Sequence, residues 1–168
     1  AWYHTYNFPT ITTNCSNNFG PYQYPEKLIP LSILRAINNK NIPIYGDGNN
    51  IRDWLYVEDH IEAILTVVEK GDVGEHYCIG GSNEMTNNEL ISKICILLDK
   101  KLNPKLSFSN LITFVRDRPG HDFRYAIDSS KIKSSLNWEC SHDFEISLEN
   151  TINWYLKNQD WCLKIIKN

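Results

Sequence analysis

The chain is expected to fold as a mixed α/β layer, and three observations carry that reading. Short β-branched or aromatic runs, bounded by glycine, proline and asparagine, alternate along the chain with longer segments whose apolar residues recur at helical spacing. Its 168 residues suffice for one compact domain or for a large piece of a bigger one, and no linker is obvious enough to split them. A hydrophobic content of 42% with 22% charged residues is that of an ordinary globule.

The first residues, Ala1 to Tyr6, read as the tail of a helix ended by Pro9, so the chain is expected to be a piece of a longer protein. Thr10 to Cys15 is β-branched enough for a buried strand, and Asn17, Asn18, Phe19, Gly20 and Pro21 break it into a loop. Leu28, Leu31, Leu34 and Ile37 share one face of a helix over about 27–38. Ile42 to Tyr45 is a strand closed by the Gly46 to Asn50 turn, and Ile51 to Leu55 continues extended. A helix over about 57–70 begins with Glu58 and Asp59 in its first turn, where acids suit the helix dipole, and places Ile61, Ile64, Leu65 and Val68 on one face.

Gly71 and Gly74 stop that helix, and His76 to Ile79 forms the next strand. Thr86 with Glu89 three residues on is a capping box, opening a helix that buries Leu90, Ile91, Ile94, Leu97 and Leu98. Ile112 to Val115 is a strand before the Pro119–Gly120 turn. Asp128 caps a short helix to about 136, and a last helix over about 143–158 buries Leu148, Ile152, Tyr155 and Leu156.

Composition excludes several function classes. A net charge of −3 argues against a general nucleic-acid binder, which needs a basic face. The five cysteines are scattered and form no CxxC pair, so neither a disulfide framework nor a zinc site is expected, and free thiols suit a reducing cytoplasm. No apolar run reaches membrane-spanning length, no histidine pair has metal-ligand spacing, and no GxSxG elbow supports acyl transfer. No glycine-rich dinucleotide loop follows a strand; Gly46, Gly48, Gly80 and Gly81 read as turns.

Several polar residues have two readings. Arg52 and Arg118 each sit beside a carboxylate in sequence. They could form surface ion pairs, Arg52 with Glu58 and Arg118 with Asp122, or converge from two loops on a diphosphate, whose oxygens a guanidinium fork matches. Asn14, Asn17 and Asn18 could be turn residues or donors to a phosphate at the C-terminal end of a strand. Lys27 could be solvated or add charge to a helix N-terminus that already favours anions. Tyr45 could be a core aromatic or a platform for a pyrimidine, and Asn87 a first-turn helix residue.

Four strings decide between these readings: Thr13 to Tyr22, Pro25 to Pro30, Ile51 to His60, and Asp117 to Asp122 followed by Arg124 to Asp128. Together they resemble the dTDP-glucose 4,6-dehydratases, nucleotide-sugar enzymes of the extended short-chain dehydrogenase/reductase class. The resemblance covers nearly the whole chain; Arg52, Asp53, Trp54 and the Pro119 to Asp122 string are its selective parts, whereas Tyr45 to Gly48 also occurs in related epimerases and decarboxylases. It implies the C-terminal, substrate-binding part of such an enzyme: the end of a Rossmann-type sheet plus a small mixed α/β domain, spanning 1–168.

By the same resemblance, Asn17, Arg52, Arg118 and His121 contact the substrate's phosphates, Lys27 and Leu28 line its pocket, Tyr45 with Pro43 and Ile44 holds the thymine, Asn87 faces the nucleotide, and Asn18 approaches NAD. The implied reaction turns dTDP-glucose into its 4-keto-6-deoxy derivative and water, as in deoxysugar pathways such as rhamnose synthesis. The glycine-rich loop and the catalytic tyrosine–lysine pair belong to an N-terminal part absent from this chain, which alone is expected to be inactive. No catalytic residue is assigned here, and the whole enzyme is expected to be a cytoplasmic homodimer. A UDP-sugar epimerase or decarboxylase, or a non-catalytic nucleotide-binding module, is the alternative.

Overall fold

The computed structural model describes residues 1–167. Helix α1 (Trp2–Tyr6) leads into β1 (Thr12–Cys15) and β2 (Asn17–Phe19). Helix α2 (Leu28–Ile37), β3 (Ile42–Tyr45), β4 (Ile51–Tyr56), α3 (Val57–Lys70), β5 (His76–Ile79) and β6 (Glu84–Thr86) follow. Then come α4 (Asn87–Leu102), a 3-10 turn (Phe108–Leu111), β7 (Ile112–Val115), β8 (Arg124–Tyr125), α5 (Ser130–Leu136), α6 (Phe144–Lys157) and α7 (Gln159–Lys167).

The strands form three small sheets. β1 pairs with β5 in parallel; β4 carries β2 and β8 in parallel and β6 antiparallel; β3 pairs with β7 in parallel. The mixed α/β class is as the pattern predicts, and the predicted strands at 42–45, 76–79 and 112–115 sit where expected. The two- and three-residue strands β2, β6 and β8 and the helix α7 were not foreseen. Strands that short show no alternation to read.

Packing resolves into two apolar clusters. The larger gathers α2, α4 and α6 around Ile29, Ile33, Leu90, Ile94, Leu148 and Ile152. The smaller joins α3, β5 and α5 through Leu55, Ala63, Val67, Tyr77, Ile79 and Ile132. The predicted capping box forms: Thr86 Oγ1 accepts from the Glu89 N–H at 3.2 Å, and Glu89 Oε2 accepts from the Thr86 N–H at 2.7 Å. Asp143 caps α6 by accepting from the Ile146 N–H at 3.0 Å. Asp128 accepts from the Ser130 N–H at 2.8 Å, holding the start of α5 from one residue before its N-cap.

Four expectations are corrected. The opening helix ends at Asn7, whose left-handed backbone (φ 53°) closes it two residues before Pro9. Strand β1 is exposed through its first three residues: among the described residues it pairs with β5 alone, and of its side chains Cys15 packs on the smaller cluster. On α2 the buried residues are Ile29, Pro30, Ser32, Ile33 and Ala36, so the Leu28, Leu31, Leu34 and Ile37 stripe sits beside the core, half-buried. On α3 the buried positions are Asp59, Ala63 and Val67, while Ile61, Leu65 and Val68 are exposed. In both helices periodicity found a real apolar face, but the core covers the one beside it.

Candidate functional site

Two connections bring the site together. β7 lies beside β3 and β8 lies beside β4, so the 116–123 loop between β7 and β8 must cross from one sheet to the other. That crossing carries Arg118 and His121 over the face of β4 that holds Arg52. Asp122 fastens the loop: its carbonyl accepts from Arg52 Nη2 at 2.8 Å and from Asn50 Nδ2 at 3.2 Å. The Ile51 N–H donates to the Phe123 carbonyl at 2.8 Å.

The result is a cavity of about 430 Å³, within the range of small-molecule sites. Its walls include Asn17, Lys27, Leu28, Pro43, Tyr45, Arg52, Asn87, Arg118 and His121, all named from the sequence. Each element supplies its residue by its own periodicity. Alternation along β3 turns Pro43 and Tyr45 outward and buries Ile42 and Ile44. Alternation along β4 puts Arg52 and Trp54 on the cavity face and Asp53 on the other. Lys27 and Leu28 stand at the N-terminus of α2, and Asn87 is the first residue of α4, fixed there by the Thr86 cap.

The electrostatics suit an anion. Arg52 is only 8% exposed, and its guanidinium donates to two backbone carbonyls, Ile51 at 2.7 Å and Asp122. Among the described residues neither Arg52 nor Arg118 has a carboxylate partner, so the predicted surface pairs with Glu58 and Asp122 do not form. Burial lowers the Arg52 pKa from its usual value, Asp122 opposes that, and the nearby Arg118 adds to it. A guanidinium stays charged in any such setting, so the cavity concentrates two like charges. His121 joins them, its Nδ1 2.7 Å from Asp117 Oδ1. Asp117 also accepts from the Arg118 N–H at 2.8 Å, and the contact with His121 holds its carboxyl below the usual range.

Two of the named residues lie off the cavity wall. The Ile44 side chain lies in the larger core, so only its backbone can meet a ligand. Asn18 points away from the cavity that Asn17 lines, as neighbours in a strand must. Its Nδ2 donates to the Ser16 carbonyl at 3.1 Å, and its Oδ1 meets His60 Nδ1 at 2.8 Å. Asn18 thus stands apart from the substrate cavity, on the side where the sequence reading placed it, toward the cofactor.

Glu26, Leu31 and Trp54 also line the cavity and were not foreseen. The signals existed: Trp54 lies two residues beyond Arg52 in a strand, and Leu31 one helical turn beyond Leu28. Elsewhere, burial pushes the Cys95 thiol up to about 11 and the Cys140 thiol up to about 12, which leaves both as un-ionised packing groups at neutral pH.

Comparison with known proteins agrees with this geometry. The family model described as GDP-mannose 4,6 dehydratase matches residues 1–151. A dTDP-glucose 4,6-dehydratase of Escherichia coli is 54% identical over 170 residues, covering 99% of this chain and 47% of that protein. The dTDP-glucose 4,6-dehydratase of Bacillus anthracis in complex with NAD superposes with a TM-score of 0.88 at 50% identity, over 98% of this chain and 50% of that one. The Streptomyces venezuelae dTDP-glucose 4,6-dehydratase with NAD and TYD bound gives 0.91 at 37% identity, over 98% and 49%. The chain thus spans about half the length of the curated relatives it matches.

Proposed function

The chain belongs to the GDP-mannose 4,6-dehydratase family, and on that premise we propose that it is the C-terminal, substrate-holding portion of a dTDP-glucose 4,6-dehydratase. The observation that carries the proposal is the meeting of Arg52 and Arg118, 66 positions apart in sequence, in one cavity where, among the described residues, neither has an ion-pair partner. A sugar-nucleotide diphosphate supplies the missing charge in the geometry guanidinium forks accept. His121 and Asn17 complete the phosphate end. Tyr45, 47% exposed beside Pro43, offers its ring to the pyrimidine, and Lys27, Leu28 and Asn87 close the wall.

In the whole enzyme, NAD is held mainly by residues outside this chain and takes and returns the hydride; residues 1–168 bind and orient the sugar nucleotide and exclude water around it. The chain alone is accordingly inactive, and the whole protein works in the cytoplasm as a homodimer. Among the described residues no helix is long and apolar enough to cross a membrane.

Calorimetric titration of the 168-residue chain with dTDP, UDP and thymidine tests the assignment. dTDP is expected to bind more than tenfold more tightly than thymidine, since charge-assisted hydrogen bonds are worth about 1.5–3 kcal/mol each. A folded chain that gives no heat with dTDP overturns the proposal. Preference for UDP over dTDP moves the assignment to the UDP-sugar epimerases and decarboxylases.

A further inference from the structure

Trp54 lines the same cavity as the residues assigned to the phosphates. It shares the cavity face of β4 with Arg52 and is in register with Asn17 on β2. It is 4% exposed, and its indole Nε1–H has no hydrogen-bond partner among the described residues. A buried donor without an acceptor is rare in native proteins and calls for a specific account. The lining around it is rich in donors: Arg52, Arg118, Lys27 and His121. The Glu26 carboxylate is at the exposed rim, 3.5 Å from the Lys27 ammonium. The cationic groups of the lining outnumber its one carboxylate, and an anionic ligand brings acceptors for them and for the indole.

We propose that Trp54 is a further ligand-binding residue, its indole N–H donating to a non-bridging oxygen of the diphosphate between Arg52 and Arg118. The inference rests on the nucleotide-sugar reading of the cavity and adds a neutral donor to its cationic ones. An indole N–H donates without accepting and stays neutral at every physiological pH. It therefore favours a phosphate oxygen over a group that must itself donate, such as an amine. Its position two residues from Arg52 lets one strand present a charged and a neutral donor to the same phosphate.

The chain carries its own reference. Trp138, 7% exposed, also has an indole N–H without a partner, but it lines a separate cavity of about 350 Å³ beside Glu139, Asp143 and Lys133. In ¹H–¹⁵N spectra of the 168-residue chain, Trp54→Phe and Trp138→Phe identify the two indole resonances among those of the five tryptophans. Adding dTDP is expected to move the Trp54 N–H resonance downfield and slow its exchange, leaving Trp138 unchanged. Thymidine, which carries the base without phosphate, is expected to leave both in place. Trp54→Phe should weaken dTDP about tenfold, equivalent to about 1.4 kcal/mol, and leave thymidine affinity unaltered.

Binding of dTDP with the Trp54 resonance unmoved overturns the assignment and leaves the cavity reading intact, as does equal affinity of Trp54→Phe and wild type. An indole that answers thymidine as strongly as dTDP also overturns it, since the base would then be the cause. No binding of dTDP to the folded chain overturns both. Should Trp54→Phe fail to fold, sequential assignment of the wild-type chain identifies the Trp54 indole, and its response to dTDP still decides.

Discussion

The two faces of β4 bury adjacent charges in opposite ways. On the inner face Asp53, 2% exposed, spends both carboxylate oxygens on the chain: Oδ2 accepts from the Gly81 N–H and Oδ1 from the Asn83 N–H, each at 2.8 Å. Gly81 is glycine because a Cβ there would stand 1.9 Å from the Trp54 carbonyl oxygen. On the cavity face Arg52 is almost as buried, yet it reaches only carbonyl oxygens and faces a second arginine. A charge that the fold satisfies is structural. A charge that the fold buries and leaves uncompensated is kept for something that arrives later.

The largest effect should follow from disturbing the satisfied face. Asp53→Ala leaves two backbone donors without their acceptor, and should cost about 3 kcal/mol of stability, read as a lowered urea midpoint. Arg52→Ala should do the reverse. It should weaken dTDP by about 2–3 kcal/mol, or roughly 30- to 150-fold, while leaving the urea midpoint near wild type, because it removes a desolvated charge with no ion-pair partner. If Arg52→Ala proves the more destabilising and binds dTDP normally, the contrast between the faces fails. Thr86→Ala ranks third: loss of the capping box should cost about 1 kcal/mol, and freeing Asn87 from its fixed position should also weaken the nucleotide measurably by calorimetry.

Those contrasts explain how much the sequence disclosed. The cavity residues were legible through the four strings that resemble one family; their chemistry alone left each with a structural reading as well. Nine of the eleven proposed ligand residues line the cavity, which shows them to be together and does not test their roles. Trp54 was passed over because aromatic strand residues usually serve a core, and only its missing partner marks it out. The alternation that turns Tyr45 and Asn17 into the cavity turns the Ile44 side chain into the core and Asn18 to the opposite side. Helical periodicity was read faithfully on α3 and still misjudged burial, because it reports an apolar face and not what covers it.

Away from β4, a smaller effect sharpens the same distinction. His142 donates its charge to acids that hold it: Nδ1 is 2.8 Å from Asp59 and Nε2 is 3.5 Å from Glu58, with Glu62 also nearby. The hydrogen bond to Asp59 raises the imidazole pKa. A raised folded-state value means the contribution to stability is complete below the unfolded value of about 6.5 and is lost as pH rises through the folded one. The stability difference between wild type and His142→Gln should therefore be greatest in mild acid and shrink in alkali, a trend that chemical denaturation at several pH values reads directly. A difference that grows with pH would show that the neutral ring, packed on Tyr56, is what matters.

The smallest effect is expected on α3, where Ile61, Leu65 and Val68 are 52%, 55% and 73% exposed. Leu65→Lys removes little buried surface, so its cost should fall within about 0.5 kcal/mol of zero. The stripe is nevertheless apolar over about two turns, which a lone solvated face has no reason to be. A cost above about 1 kcal/mol, rising with protein concentration, would mean that the stripe is covered in solution, and sedimentation would show the association. In that event α3 would join the face of β4 that carries Asp53, as surface already spent on structure, and the cavity would be left as the one region among those compared whose polar groups wait for a ligand.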